Sequence, residues 1–316
     1  MILVTGASGH LGQWVVAELC AGGHDVLCLA RRPLDRPTIA GLTWSRPVRT
    51  VRCDLGAPAE LEALRPDLAS IRAVVHLGAF VPSDTAQNTD EDADATLRVN
   101  AAGTAALLGV LAGAPRLEAV VYASTFEVYG PVVRLPIDEL HPTAPTTHYG
   151  ASKLAGEKYL RLFAGDRRIA CASLRLPAIY GPGDTIRRAL GNFVRAAAAG
   201  RAMEIHGDGA DLRELVYVAD AARAVALCLD RRAQGVFNVA SGRGISIRAM
   251  AAAVQRAAGG EASIPILARD RIKARADYVL AVERAERELG WSPRTSLEDG
   301  VRAQLAWVRG LPPEQA

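Results

Sequence analysis

Five cysteines, Cys20, Cys28, Cys53, Cys171 and Cys228, are all that the sequence offers for thiol chemistry. Their number is odd, their spacing is irregular and most stand in apolar runs. That excludes a disulfide framework or a thiolate metal cluster, and it suits small core residues of a reduced, cytoplasmic protein; no metal is expected. Strong basic runs are also missing: 37 Lys and Arg stand against 34 Asp and Glu, for a net charge of +3, so no nucleic-acid partner is implied. No apolar run reaches membrane-spanning length without polar interruption, so no membrane partner is expected. Met1 leads directly into Ile2-Leu3-Val4, without the basic region and cleavage site of a signal peptide. There is no internal repeat and no low-complexity linker. Arginine greatly outnumbers lysine and alanine is abundant, which reads as coding bias.

What is there is apolar and alternating. Half of the 316 residues are hydrophobic, enough for one large domain or two modest ones. The chain opens with a short apolar strand, Met1 to Thr5, then Gly6-Ala7-Ser8-Gly9-His10-Leu11-Gly12, a helix from about Gln13 to Ala21, and a second strand, Asp25 to Ala30. A glycine turn between strand and helix lets the backbone approach a pyrophosphate, and the helix N-terminus offers free N–H groups and a positive dipole end. The second strand ends in Ala30-Arg31-Arg32-Pro33. An acid there would accept hydrogen bonds from a ribose 2′-hydroxyl. Two guanidinium groups suit a 2′-phosphate, so NADP is favoured over NAD, which stays possible.

Further strands are expected at Arg49 to Leu55, Ile71 to Ala79, Glu118 to Ser124 and Ile169 to Arg175, with helices near Ala59 to Leu64, Ala95 to Ala112 and after His148. Asp54 at a strand end could meet the adenine edge, and the small residues Gly78 and Ala79 let the chain pass close to a cofactor. His76, on an apolar strand, reads as a packed residue, and Asp84 to Asp92 as an acidic loop near the site. The alternation argues for an α/β, doubly wound parallel sheet with a smaller C-terminal lobe. The expected cofactor domain is residues 1–176 plus about 219–240; about 177–218 plus 241–316 form the substrate-binding lobe. Ligands in such sheets lie beyond the carboxyl ends of the strands, which places Ser124, Thr125 and Glu127 near chemistry.

Tyr149 and Lys153 stand four residues apart, on one helical face. A tyrosine titrates near about 10, and a neighbouring cation favours its phenolate. Tuned this way, it can take a proton from a hydroxyl or return one to a carbonyl oxygen.

Together these stretches resemble the extended short-chain dehydrogenase/reductases, in particular the NAD-dependent epimerase/dehydratase family acting on nucleotide sugars. The resemblance runs over nearly the whole chain. It rests on Gly6-x-x-Gly9-x-x-Gly12, Asp54-Leu55, His76-Leu77-Gly78-Ala79, Asn100-Ala101-Ala102-Gly103-Thr104, Ser124 to Gly130, Tyr149-Gly150-Ala151-Ser152-Lys153, Leu174-Arg175, Tyr180-Gly181-Pro182-Gly183, Arg213 to Val218, Phe237-Asn238-Val239 and Leu289 to Pro293.

The resemblance implies that Tyr149 is the general acid/base, that Lys153 holds the nicotinamide ribose and tunes it, and that Thr125 hydrogen-bonds the reacting oxygen. It assigns Gly6, Ser8, Gly9, His10, Leu11, Gly12, Arg31, Arg32, Asp54, Leu55, Leu77, Gly78, Ala79, Asn100, Ser124 and Pro177 to the cofactor, together with Tyr149 and Lys153. Arg213 and Arg275 fall to the nucleotide diphosphate, and Thr125, Phe126 and Asn192 to the substrate. The expected activity is a nucleotide-sugar epimerase working through a transient 4-keto sugar. One alternative is a 4,6-dehydratase with Glu127 as the C5 base; others are an NADPH-dependent 4-ketoreductase and, remotely, a non-catalytic dinucleotide-binding regulator. A homodimer through the helices near Ala95–Ala112 and Tyr149–Phe163 is also implied.

Overall fold

The computed structural model describes residues 1–82, 88–165, 167–259, 266–270 and 277–312. In chain order its elements are β1 (Ile2–Thr5), α1 (His10–Ala21), β2 (Val26–Ala30), β3 (Arg49–Arg52), a 3₁₀ run (Pro58–Ser70), β4 (Ala73–His76), α2 (Asp90–Ala95), a π-helical stretch (Thr96–Ala102), α3 (Gly103–Leu111), β5 (Ala119–Thr125), α4 (His148–Ala164) and β6 (Ala170–Leu176). There follow β7 (Ala178–Tyr180), α5 (Ala189–Ala198), β8 (Met203–His206), β9 (Leu212–Arg213), β10 (Leu215–Tyr217), α6 (Val218–Asp230), β11 (Gly235–Asn238), β12 (Ile245–Ser246), α7 (Ile247–Ala258), β13 (Ile266–Arg269), a second π stretch (Ala285–Leu289) and α8 (Leu297–Arg309).

Seven strands form one parallel sheet in the order β11-β6-β5-β4-β1-β2-β3. Strand order reverses between β1 and β4, and that switch point opens a crevice beyond the strand ends. Both faces of the central strands β1, β2, β4 and β5 are covered, and these read as near-continuous apolar runs, whereas the edge strand β3 does not. Side chains alternate between the two faces: Ile2 and Val4 join the cluster under α1 and α6, whereas Leu3 packs with Leu107, Leu111 and Leu160 on the other face. Ala285, Leu289 and Trp291, expected in the substrate lobe, pack into the α1–α6 cluster instead, with the Trp291 indole donating to the Asp220 carbonyl at 2.9 Å.

The smaller lobe has its own core, built from Leu190, Phe193, Met203, Met250, Val254, Val301 and Leu305 on α5, α7, α8 and β8. Between Leu212 and Tyr217 the chain forms two short strands, β9 and β10, separated at Glu214. The buried Glu214 carboxylate accepts from Ser241, from the Arg243 N–H and from the Leu280 N–H, so the break between the two strands is tied by a side chain to the segments at 241–243 and 280.

The helix expected as one piece over Ala95 to Ala112 widens into a π turn at Thr96–Ala102. Hydroxyls take up carbonyls there: Thr96 donates to Asp92 O at 2.6 Å and Thr104 to Asn100 O at 2.5 Å. The turn aims the Asn100 amide at the Phe80 backbone, accepting from its N–H at 2.7 Å and donating to its carbonyl at 2.9 Å. No described helix is long and apolar enough to cross a membrane.

Candidate active site

The crevice at the β1–β4 switch point is a cleft of about 620 Å³ lined by the glycine turn, the ends of β2 to β6, Tyr149 and Lys153. Gly6 has φ +67°, and a Cβ there would come within 2.6 Å of the Gly78 nitrogen. A Cβ on Gly12 would overlap the Gly6 carbonyl oxygen. Both glycines are therefore required where the chain turns onto α1. Gly9 caps α1 without a side-chain acceptor, so the first-turn N–H groups receive no side-chain oxygen from the cap. His10 lies in the same turn. Burial pushes its imidazole down to about 4, against the pull of the Pro182 carbonyl, and its Nε2 has no hydrogen-bond partner. Open N–H groups, an orphaned ring nitrogen and glycines that cannot carry a side chain fit the diphosphate of a dinucleotide.

Ser8, Leu11, Arg31, Asp54, Leu55, Leu77, Gly78, Ala79, Ser124 and Pro177 also line this cleft. Arg31 is exposed at its rim, while Arg32 is exposed outside it. Asn100 does not line it; through the Phe80 backbone and Ser152 (3.1 Å) it holds the wall behind. His76 is a structural bridge. The Gly78 N–H donates to Thr5 Oγ1 (3.0 Å), and the Thr5 hydroxyl to His76 Nδ1 (2.6 Å). His76 Nε2 then donates to Thr104 Oγ1 (2.8 Å), since that hydroxyl spends its proton on Asn100 O. One neutral imidazole thus ties β1, β4 and α3 together.

Thr147 caps α4, its oxygen accepting from the Gly150 N–H at 2.9 Å. One turn in, Tyr149 and Lys153 point into the cleft beside Thr125. In the free protein burial outweighs any lowering of the tyrosine by Lys153. Burial pushes Tyr149 up, the Glu127 charge adds to this, and Arg188 opposes it. Burial also pulls Lys153 down to about 7, partly offset by Glu157. The ammonium lies 4.2 Å from the centroid of the Tyr122 ring. The pair therefore stands ready as a protonated phenol and a lysine near its titration point.

A second cleft of about 360 Å³ opens from the first, and Phe126, Pro177, Ile179, Ile186 and Arg188 line both. Glu127 and Arg213 face it. Glu127 Oε2 accepts from the Thr147 hydroxyl at 2.8 Å. Arg213 is steadied by Asp211 at 3.3 Å. Asn192 is exposed on α5 and lines neither cleft; Leu190 and Gly191 of that helix do. Arg275 lies outside the described residues, as do positions 84–87 of the acidic loop.

Sequence reasoning missed Arg188, Asp184 and Tyr278. Arg188 is the N-cap residue of α5 and stands between the two clefts. Asp184 is buried, its carboxyl raised by burial, and accepts from Gln304 at 3.3 Å. The Tyr278 ring meets Phe126 edge-on at 5.0 Å. The signal for Arg188 was the Arg187-Arg188 pair just after the Gly-Pro-Gly break; a lone tyrosine in a loop offered none.

A profile of the NAD dependent epimerase/dehydratase family matches residues 2–240. UDP-glucose 4-epimerase of Mycolicibacterium smegmatis is 30% identical, over 97% of this chain and 98% of its own. dTDP-glucose 4,6-dehydratase of Streptomyces griseus is 30% identical over 97% and 93%. The structure of MoeE5 in complex with UDP-glucose and NAD superposes with a TM-score of 0.81 at 29% identity, covering 98% of both chains. With this fold, this glycine turn and this Tyr-Lys helix, the chain belongs to the NAD dependent epimerase/dehydratase family.

Proposed function

We propose that the protein is an NAD(P)-dependent nucleotide-sugar 4-epimerase. The carrying observation is that Tyr149, Lys153 and Thr125 stand where the cofactor cleft opens into the Arg188- and Arg213-lined cleft. The full-length likeness to a UDP-glucose 4-epimerase supports the reading. A bound nicotinamide would supply a hydride acceptor and, in its oxidised form, a positive charge.

In this mechanism the diphosphate lies against Arg213 and Arg188, where guanidinium groups pair with phosphate oxygens. Thr125 hydrogen-bonds the C4 oxygen. Tyr149 takes the hydroxyl proton as C4 is oxidised and returns it once the 4-keto sugar has turned its other face. Lys153 lends its charge to the phenolate and holds the nicotinamide ribose. Arg31 at the rim favours NADP; NAD is the second choice. The cofactor domain is residues 1–176 with about 219–240.

A second reading rests on Glu127, a carboxylate on the substrate cleft that could take the C5 proton of a 4-keto sugar, as a 4,6-dehydratase requires. The experiment is product analysis on UDP-, GDP- and dTDP-sugars. Interconverted C4 epimers with no net cofactor consumption support the epimerase. A 4-keto-6-deoxy product that disappears in Glu127→Gln replaces it with the dehydratase, and stoichiometric loss of NADPH absorbance with the ketoreductase.

The same reading makes the protein a cytoplasmic homodimer. Leu97 on the π stretch (65% exposed) and Tyr159 and Leu162 on α4 (45% and 73%) are the apolar residues such an interface would cover. Light scattering on the purified protein measures it directly.

A further inference from the structure

Glu157 stands one turn beyond Lys153 on α4, so Tyr149, Lys153 and Glu157 share a face at steps of four. It is 7% exposed and held by three hydrogen bonds from two residues. Arg175 on β6 donates through Nε to Oε1 at 3.0 Å and through Nη2 to Oε2 at 2.8 Å. Ser124 at the end of β5 donates to Oε1 at 2.5 Å. Arg175 is itself stacked 4.6 Å from the Tyr129 ring, whose hydroxyl donates to Asn238 on β11 at 2.6 Å. A buried carboxylate is thus fixed by two strands of the sheet, β5 and β6, directly behind the proposed proton-transfer pair.

We propose that Glu157 is a positioning residue for the reaction: its carboxylate, pinned by Arg175 and Ser124, supports the positive charge of Lys153 and through it the phenolate form of Tyr149. The proposal rests on the reading of Tyr149 and Lys153 as the acid/base pair.

The groups around the Lys153 ammonium make this carboxylate its support. Tyr122 on β5 offers a ring face and His76 on β4 a neutral imidazole, since burial holds His76 down to about 3. Tyr149 is held protonated by its own burial. Glu157 raises Lys153 where burial lowers it. No direct ion pair joins the two among the described residues, so the support acts through charge at a distance. Such support is strong where water is excluded. Gly156 completes the arrangement, because a side chain there would strike the Tyr122 hydroxyl and displace the ring under Lys153.

The sequence makes the test clean, because it contains three lysines, Lys153, Lys158 and Lys273. Protein labelled with ε-13C-lysine gives three signals, assigned with Lys158→Arg and Lys273→Arg. Titrated without substrate, Lys153 should change protonation near neutral pH, and in Glu157→Gln about one pH unit or more lower, a tenfold shift in the equilibrium. The substitution leaves buried Arg175 without its partner, which destabilises the fold. Glu157→Gln with Arg175→Met removes both charges and should place the midpoint between the other two. The alkaline limb of log kcat against pH should move the same way, with KM for the nucleotide sugar within about twofold.

An unchanged Lys153 midpoint in both variants overturns the proposal. So does a shifted midpoint with an unmoved kinetic limb. If the wild type turns over no nucleotide sugar, the proposed function falls, and the spectrum alone decides the charge link.

Discussion

Thr147 and Glu127 are joined by a hydrogen bond of 2.8 Å from the threonine hydroxyl to Oε2, and the same threonine oxygen caps the helix that carries Tyr149. A single side chain therefore sets both the start of α4 and the direction of Glu127, the carboxylate whose charge adds to the raising of Tyr149. Thr147→Val removes the cap and the donor at once. Loss of a cap costs about 1 kcal/mol, so thermal unfolding should begin about 2 °C lower. Thr147→Ser keeps both bonds and should unfold like the wild type; equal damage in the two variants would mean that the methyl packing matters and the hydroxyl does not.

Tyr149→Phe deletes the proton carrier and leaves the ring. General acid/base groups contribute about 10²- to 10⁴-fold, so kcat should fall by that range while the dissociation constant for the dinucleotide changes little. Retained turnover would remove Tyr149 from the chemistry.

Arg31 at the cleft rim should decide between the two dinucleotides. Arg31→Asp replaces a partner for a 2′-phosphate with an acceptor for a 2′-hydroxyl. Calorimetric titration should show NADP affinity falling at least tenfold and NAD affinity holding or rising. Arg32, outside the cleft, should have the smaller effect when substituted.

His76 predicts an acid dependence of stability. Burial holds its folded form down to about 3, with the Lys153 charge adding to the shift, whereas the unfolded residue titrates near 6.5. As pH falls below 6.5 the unfolded chain takes up a proton that the folded chain refuses, so stability is present above that value and is lost towards pH 3. The slope from this one group is about 1.4 kcal/mol per pH unit. Urea unfolding at a series of pH values should give a slope lower by this amount in His76→Asn than in the wild type. Parallel slopes would mean that the imidazole does not resist protonation.

The cofactor half was legible in the sequence because its signals are local. The glycine turn, the apolar strands and the Tyr149–Lys153 spacing each lie within a few residues, and the fold has only to place them at one sheet edge. The substrate half was not, because its residues meet through the lobe. Asn192 and Arg188 show the difference: both stand at the same helix, one turn apart, yet the arginine faces the clefts and the asparagine faces solvent. The titration of the pair in the free protein was not legible for a similar reason. A four-residue spacing reports adjacency but not burial, and burial dominates both Tyr149 and Lys153. The π turn at Thr96–Ala102 has no apolar period of its own and passes for continuous helix until the Asn100 partners are known.

The place of β11 in the sheet has a practical consequence for anyone dividing this gene. The edge strand beside β6 comes from residues 235–238, more than fifty positions after β6 ends. A fragment stopped before α6 would expose β6 as a bare edge. All seven of its residues, Ala170–Leu176, are buried in the full chain, and it carries one charge, Arg175. An exposed apolar edge of that kind pairs with copies of itself, so the dinucleotide half expressed alone should precipitate. Separating the halves calls for a circular permutant, not a truncation.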